Sequence, residues 1–221
     1  MPLELRDHVH WCDCDGRAVF LDTKADRYFC LSQPANEAFL RLAADQARRG
    51  DAERLQSLVA RGILVDRRPG GRIQAPPVLE PPTCDIVGTQ TARAALLPLM
   101  KALACEAEAA WALRSRRFDA VIDAVRTSGR RKRHGQPAEQ ALQRIAAASA
   151  AVSLLTRSHD RCLVRALAAH SLCIKSGIGA KLVFGVIAHP FSAHCWVQVG
   201  SAVLVGGYEQ ARLHTTILVI G

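Results

Sequence analysis

Three short runs near the start of the chain, containing valine or aromatic residues and separated by turn residues, carry strand signals. The runs lie at 8–14, 17–21 and 27–31. Asp15 and Gly16, between the first two runs, are typical of a tight hairpin turn. We therefore expect a hairpin followed by a third strand.

After Ser32 the apolar residues recur at helical spacing, and Pro34 suits a first helical turn. A second helix is predicted over 52–60, and the apolar run 63–65 predicts a returning strand. Short strands and helices in so small a segment indicate a winged-helix-like domain, which we assign to residues 1–66.

The next segment, 67–89, is rich in proline and glycine, which neither a helix nor the interior of a sheet tolerates well. We interpret it as a linker. Residues 90–221 then show helical patterns first and strand patterns last. Helices are predicted over 91–113, 117–127, 138–155 and 161–176, and strands over 180–187, 194–199, 202–205 and 215–220. The chain is thus predicted to be an α+β protein.

The formal net charge of +9 indicates an acidic partner. The densest basic run, 130–134, lacks the interleaved aromatic residues of a single-strand-binding site, so nucleic acid is not the expected partner. A winged-helix outline alone says little about function, and a nucleic-acid-binding module is not favoured. The sequence has no glycine-rich phosphate loop, and we expect no cofactor.

Three features predict a cytoplasmic protein without a membrane span. The longest apolar stretch, 145–155, is far shorter than the roughly 20 residues that cross a bilayer. The N-terminus lacks the apolar core of a secretion signal. The eight cysteines are scattered along the chain, as expected of free thiols in a reducing compartment.

Cys162 and His194 are the strongest candidates for chemistry. Cys162 lies near the start of a predicted helix, with Ser158 as a possible N-cap and Asp160 in the first turn, where the helix dipole favours a thiolate. His194 lies at the start of a predicted strand. Because neighbouring side chains on a strand point to opposite faces, Cys195 is excluded as the partnered nucleophile. A cysteine at a helix start facing a histidine on a strand is typical of cysteine peptidases and transglutaminases.

A zinc site is the other chemistry that the pattern allows. His10, Cys12 and Cys14 would share one face of a strand. However, no second cysteine or histidine pair stands at ligand spacing in this part of the chain, and we predict no metal.

Four ordered runs resemble the lasso-peptide B proteins: DRCLVRALAA at 160–169, GIGAKLVFGV at 177–186, PFSAHCWVQ at 190–198 and VLVGG at 203–207. The resemblance implies a transglutaminase-like or papain-like cysteine peptidase domain, with N-terminal helices and a C-terminal antiparallel sheet. It also implies that Cys162 and His194 are catalytic. The N-terminal domain looks like the element that clasps a precursor's leader peptide, and a separate ATP-dependent synthetase is the implied second partner.

The chain departs from that family at one position. The family's third catalytic residue is an Asp shortly after the His, and Gly206 stands at that place. Glu209 is the nearest carboxylate and is our candidate for the acid, although a backbone carbonyl could orient His194 instead. A Cys–His pair can act without the acid, since the third member mainly orients the imidazole.

The resemblance also implies where a leader would bind. An extended peptide can add to a sheet edge, where main-chain hydrogen bonds hold it and side-chain pockets read it. The candidate contacts are the third strand, the second helix and an aromatic residue at the catalytic site, namely Arg27, Tyr28, Phe29, Cys30, Leu31, Leu55, Leu58, Val59 and Trp196. The alternative is that Tyr28, Phe29 and Leu31 only fill the small core.

The residues and the resemblance together predict a leader peptidase acting before macrolactam closure by the synthetase. Two alternatives stay open. The absent Asp at position 206 favours a catalytically impaired chaperone that binds the leader and presents the precursor. A transferase that passes the acyl group to an amine has the same sequence signature as a hydrolase.

Overall fold

The computed structural model describes residues 3–66, 73–74, 78–86, 96–130, 139–156 and 161–221. The chain forms two compact units, and neither is contiguous in sequence. The first comprises Met1–Pro77, Val186–Ser192 and Thr215–Leu218. The second comprises Val78–Gly185, Ala193–His214 and Val219–Gly221. Most of the predicted linker lies outside the described residues.

Five strands and three helices make up the N-terminal part of the first unit. They are β1 (Leu3–Leu5), β2 (Val9–Cys14), β3 (Arg17–Asp22), β4 (Arg27–Cys30), α1 (Gln33–Ala43), α2 (Asp51–Arg54), α3 (Gln56–Ala60) and β5 (Leu64–Asp66). The pattern predicted β2 to β4 and α1 closely. The second predicted helix is interrupted at Leu55, which separates α2 from α3.

Strands β2, β3 and β4 form an antiparallel sheet in that order, so β4 lies at an edge. The hairpin between β2 and β3 turns at Asp15 and Gly16, whose positive φ angles of 52° and 81° suit a tight turn. The returning strand β5 pairs with β1 instead of joining this sheet. Strand β1 has only three residues, too few for its alternation to be recognised.

An aromatic cluster forms the core of this part. The ring of Phe39 packs against those of Trp11 and Phe20, with centroids 5.0 and 4.7 Å apart. The buried side chain of Asn36 joins α1 to the hairpin, because it accepts from the backbone N–H of Ala18 and donates to the carbonyl of Gly16, each at 2.8 Å. Helix and sheet are therefore held by both apolar packing and satisfied polar groups.

The rest of the chain supplies five helices and five strands in the described residues. They are β6 (Cys84–Asp85), α4 (Leu96–Ser115), α5 (Phe118–Arg130), α6 (Glu139–Leu155), α7 (Cys162–Lys175), β7 (Lys181–Ile187), β8 (Ser192–Val199), β9 (Ala202–Val205), α8 (Tyr208–Ala211) and β10 (Thr215–Ile220). The order of helices before strands agrees with the sequence pattern, and the chain is a mixed helix-and-sheet protein.

The five strands form one sheet in the order β10-β7-β8-β9-β6. Strands β8 and β9 are antiparallel, whereas β6 pairs with β9 in parallel. The pattern did not predict β6, which has two residues and lies within the expected linker. Helix α7 packs against α4 and α6, and α6 and α7 pack against β9. Among the described residues, no helix is both long enough and apolar enough to cross a membrane.

Candidate active site

Helix α7 begins at Cys162, and Arg161 before it has non-helical dihedral angles of −110° and 17°. The thiol therefore sits on the first helical residue, where unpaired backbone N–H groups point towards the helix start. This differs slightly from the prediction of a helix capped at Ser158. Ser158 and Asp160 lie outside the described residues, so their expected capping roles stay predictions.

His194 is the third residue of β8, and its ring is partly buried. Its Nε2 lies 2.8 Å from the backbone carbonyl oxygen of Gly206. Because a carbonyl oxygen can only accept, Nε2 carries the proton in the neutral ring. The other ring nitrogen, Nδ1, then holds the lone pair and is the basic atom.

Gly206 approaches this histidine so closely that no side chain fits at that position. Its φ angle is +115°, in the region that favours glycine. A Cβ atom there would lie 2.4 Å from the Cβ of Trp196 and 3.2 Å from the Nε2 of His194. The local fold therefore requires glycine at position 206. A residue with a side chain could not bring its backbone carbonyl this close to the imidazole.

The structure does not bring Glu209 to His194. The Oε2 of Glu209 accepts a hydrogen bond from the Nε of Arg212 at 2.6 Å, and both side chains are exposed. The backbone carbonyl, which was the other option at the sequence level, is the partner that His194 has. Glu209 is paired with Arg212 here, and its role as the acid of the site stays a prediction.

Cys162 and His194 line one cavity of about 1000 Å³ in the second unit. Its wall also includes Asp85 and Arg165, together with the backbone of Gly206. The two residues that were predicted to act together therefore line the same half-open cavity. A cavity of this size is in the range of ligand sites and can admit a peptide segment.

Burial lowers the pKa of His194, and the neighbouring His214 lowers it further, while the bond to Gly206 acts in the opposite direction. The centroids of the two imidazole rings lie 5.3 Å apart. His214 is itself buried, and its Nδ1 donates to the carbonyl oxygen of Gln210 at 2.7 Å. His194 is consequently neutral at physiological pH and available as a base.

No pattern in the sequence marked His214 or Asp85 as parts of this site. His214 precedes the last strand without any neighbouring motif, and Asp85 lies in the expected linker. Both reach the site through pairings between distant parts of the chain. The sequence offers only one weak signal for Asp85. It is followed by Ile86 after the Pro-rich run, and two residues are too few to indicate a strand.

Two other cysteines, on the strand of His194 and on the helix of Cys162, are poor nucleophiles. Cys195 is fully buried, and burial raises the pKa of its thiol well above the ordinary value. Cys173, on the same helix as Cys162, has a pKa raised by burial to about 12. Thiolate is the reactive form, so both thiols are inert at neutral pH.

Trp196 is buried next to His194. It is 1% exposed, and its indole N–H donates to the Oε1 of Gln198 at 3.1 Å. Its ring stacks near His194 with centroids 6.1 Å apart. Trp196 thus packs against His194 and Gly206 from the core, and its predicted contact with a substrate stays a prediction.

The predicted leader-binding residues divide into surface and core. Arg27 and Cys30 are exposed on the edge strand β4, and Tyr28, Phe29 and Leu31 are half-buried. Leu55 and Leu58 are each 1% exposed and belong to the aromatic core, so their predicted contact with a leader stays a prediction. Val59 on the same helical segment is 42% exposed and stays available.

Phe29 shows how the edge strand is built. One face of its ring stacks on Phe20, with centroids 4.9 Å apart and an interplanar angle of 8°. The guanidinium groups of Arg27 and Arg61 lie 5.9 and 5.3 Å from its centroid. The edge therefore presents an aromatic side chain together with two positive charges.

The cysteines of β2 do not form a metal site in the described residues. The sulfur atoms of Cys12 and Cys14 lie 3.6 Å apart, and burial raises the pKa of Cys12 far above its ordinary value. Within the described part of the chain, no group of three or more His, Cys, Asp or Glu side chains is placed to hold a metal ion.

Comparison with known proteins gives one match. A family model described as transglutaminase-like superfamily matches residues 105–219, more than half of the chain and a range that includes Cys162 and His194. Neither the curated proteins nor the solved structures contain a match. That superfamily generally includes cysteine-peptidase-like enzymes. With the cysteine and the histidine on one cavity wall, the match shows that the chain belongs to the transglutaminase-like superfamily.

Proposed function

We propose that the chain is a cysteine peptidase that cleaves the leader from a lasso-peptide precursor, before a separate ATP-dependent synthetase closes the core peptide. The hydrogen bond between His194 and Gly206 carries the catalytic part of this proposal, because it leaves Nδ1 as a base on the cavity wall that also holds Cys162. The lasso-peptide part is supported by the resemblance of the four sequence runs.

The reaction follows from these two side chains. The Cys162 thiol gives its proton to Nδ1 of His194, and the sulfur attacks the carbonyl carbon of the scissile peptide bond. The C–N bond breaks as the imidazolium gives that proton to the leaving amine, which becomes the N-terminus of the core peptide. Water then attacks the thioester while His194 takes its proton, and the C–S bond breaks to release the leader as a carboxylic acid. The imidazolium returns that proton to the sulfur of Cys162.

The first unit would supply the anchor that a flexible leader needs. Its edge strand β4 can accept an added strand, and the exposed parts of Phe29 and Val59 offer apolar contacts beside it. Arg27 and Arg61 near the ring of Phe29 favour an acidic leader, in keeping with the net charge of +9.

The deciding experiment incubates the precursor with the purified chain, with and without the synthetase, and follows the products by mass spectrometry. We expect Cys162→Ala to abolish cleavage and to leave leader binding intact. Cys84→Ala is the matched control, since Cys84 is another non-buried thiol, and it should cleave normally. Normal cleavage by Cys162→Ala would show that the assignment is wrong.

One observation favours a second candidate, a leader-binding chaperone without turnover. The expected acid is absent at 206, and Glu209 is directed to Arg212 instead of His194. This candidate predicts precursor binding without any product, and alkylation of Cys162 by iodoacetamide at the rate of a free thiol. The same mass spectra separate hydrolysis from transfer of the acyl group to an amine.

A further inference from the structure

Asp85 lies upstream of the range that matches the family, yet it lines the cavity shared by Cys162 and His194. It belongs to the two-residue strand β6, which pairs in parallel with β9 and places Asp85 opposite Val203. The backbone N–H of Ile86 donates to the carbonyl of Val203 at 2.7 Å. These contacts hold Asp85 at a defined position beside the end of β9.

The carboxylate of Asp85 is bonded to the turn that orients His194. Its Oδ1 accepts the backbone N–H of Tyr208 at 2.7 Å. Tyr208 is the first residue of α8, and the helix has no side-chain cap of its own from Gly207. Asp85 therefore satisfies a backbone donor that the start of this short helix leaves open.

The turn needs such an external contact because of its composition. Gly206 and Gly207 have φ angles of +115° and +78°, and consecutive glycines lose much conformational freedom when they are ordered. The carbonyl of Gly206 must nevertheless stay 2.8 Å from the Nε2 of His194. An anchor at the next residue, Tyr208, restricts where that carbonyl can lie.

We propose that Asp85 is a positioning residue for His194 and that it performs, through the backbone of the Gly206–Tyr208 turn, the orienting task of the acid that position 206 lacks. The inference rests on the proposed function in that it concerns the same Cys–His chemistry. It assigns a role to a segment outside the matched family range, and it explains how a glycine can replace the expected Asp.

The test compares Asp85→Ala with Asp85→Asn. The Asn side chain keeps an oxygen that accepts the Tyr208 N–H but has no charge, so it should preserve the turn. Asp123→Ala is the matched control, because Asp123 is an exposed carboxylate on α5 whose Oδ1 lies 3.5 Å from the Nη1 of Arg126. Thermal unfolding of each variant verifies that it is folded.

Three readouts separate positioning from general stability. The first is the rate of Cys162 alkylation by iodoacetamide against pH. The second is the tautomer of His194 from the ¹⁵N spectrum of histidine-labelled protein, assigned by comparison with His194→Asn. The third is kcat and KM for precursor cleavage. We expect Asp85→Ala to lower kcat by up to about ten-fold with KM unchanged, the size of one hydrogen bond to the backbone.

In Asp85→Ala, alkylation of Cys162 at neutral pH should slow several-fold. His194 should populate both the Nε2–H and the Nδ1–H tautomers. Asp85→Asn and Asp123→Ala should match the unmodified chain in all three readouts. The inference is overturned if Asp85→Ala behaves like the unmodified chain, or if Asp85→Asn is as impaired as Asp85→Ala. Failure of the proposed function shows instead as no cleavage by the unmodified chain, and the alkylation and tautomer readouts still decide the role of Asp85.

Discussion

At the scale of single residues, His194 is held by a carbonyl oxygen where a carboxylate was expected. A carbonyl oxygen selects the same tautomer but carries no full negative charge, so it stabilises an imidazolium less. Burial and the neighbouring His214 lower the pKa of His194 as well. Burial and His214 thus favour a neutral imidazole, and the bond to Gly206 opposes them only in part, because the pKa of His194 is lowered overall.

The pH dependence of catalysis should reflect this lowered pKa. The basic form of His194 persists below the ordinary histidine value of about 6.5, so the acidic limb of kcat/KM should lie below that value. His214→Asn removes the second imidazole but can still donate to the Gln210 carbonyl. Without the neighbouring positive charge, the pKa of His194 should rise. The acidic limb of kcat/KM should therefore shift to higher pH. A limb that stays in place in this variant would show that His214 has no such influence.

Restoring the family's Asp should not restore its chemistry. In Gly206→Asp the new Cβ would lie 2.4 Å from Trp196, and the φ angle of +115° strains any side chain. We expect cleavage to fall by at least about 100-fold and the free energy of unfolding to fall by about 1–3 kcal/mol, the usual cost of a strained backbone. Cleavage assays and urea unfolding measure both.

Gly200→Asn is the matched control for that substitution. Gly200 has a φ angle of +58°, which Asn tolerates, and no atom lies within 4 Å of an added Cβ. This variant should keep both its activity and its stability. An active Gly206→Asp would show that the turn can rearrange to hold a carboxylate.

At the scale of elements, the sequence pattern predicted the helices and strands of at least four residues in the described part of the chain, except α8. It missed β1 and β6, which have three and two residues and exist because other strands pair with them. It also missed the interruption at Leu55. The same limit explains the site: Cys162 and His194 stand in recognisable local contexts, whereas Asp85 and His214 arrive by long-range packing that no local pattern encodes.

The start of α2 offers a test of an element's stability. Asp51 accepts hydrogen bonds from the backbone N–H of Arg48 at 2.8 Å and from the Nη2 of Arg41 at 2.6 Å. The bond from Arg41 is the main reason that the pKa of Asp51 falls from 3.8 to about 2. The folded state thus binds this proton less readily than the unfolded state, and the contribution of Asp51 to stability is full above about pH 4.

Asp51→Asn should therefore lower the urea midpoint at pH 7, and its difference from the unmodified chain should shrink as the pH falls towards 2. Unfolding followed by circular dichroism at pH 7, 4 and 2.5 measures this trend. Glu209→Gln is the control, since the exposed pair with Arg212 should contribute little at any pH. A difference that is independent of pH would mean that the ion pair is not its source.

At the scale of the whole molecule, each of the two units contains segments from separate parts of the chain, which local sequence patterns did not predict. The first unit takes short segments from far downstream, Val186–Ser192 and Thr215–Leu218. The N-terminal 66 residues are therefore not expected to reproduce the complete first unit when they are expressed alone.

The proposed division of labour makes a quantitative prediction about the substrate. If the first unit binds the leader while the second cleaves the bond, the scissile segment is held at a high effective concentration. A short peptide that spans only the cleavage site should then show kcat/KM lower by roughly 10²–10⁴-fold, mainly through KM. Adding the leader as a separate peptide should not restore cleavage, because the physical link has been lost. If the separate leader restored cleavage, leader binding would activate the site. If the short peptide and the full precursor were cleaved equally well, the first unit would have no role in recognition.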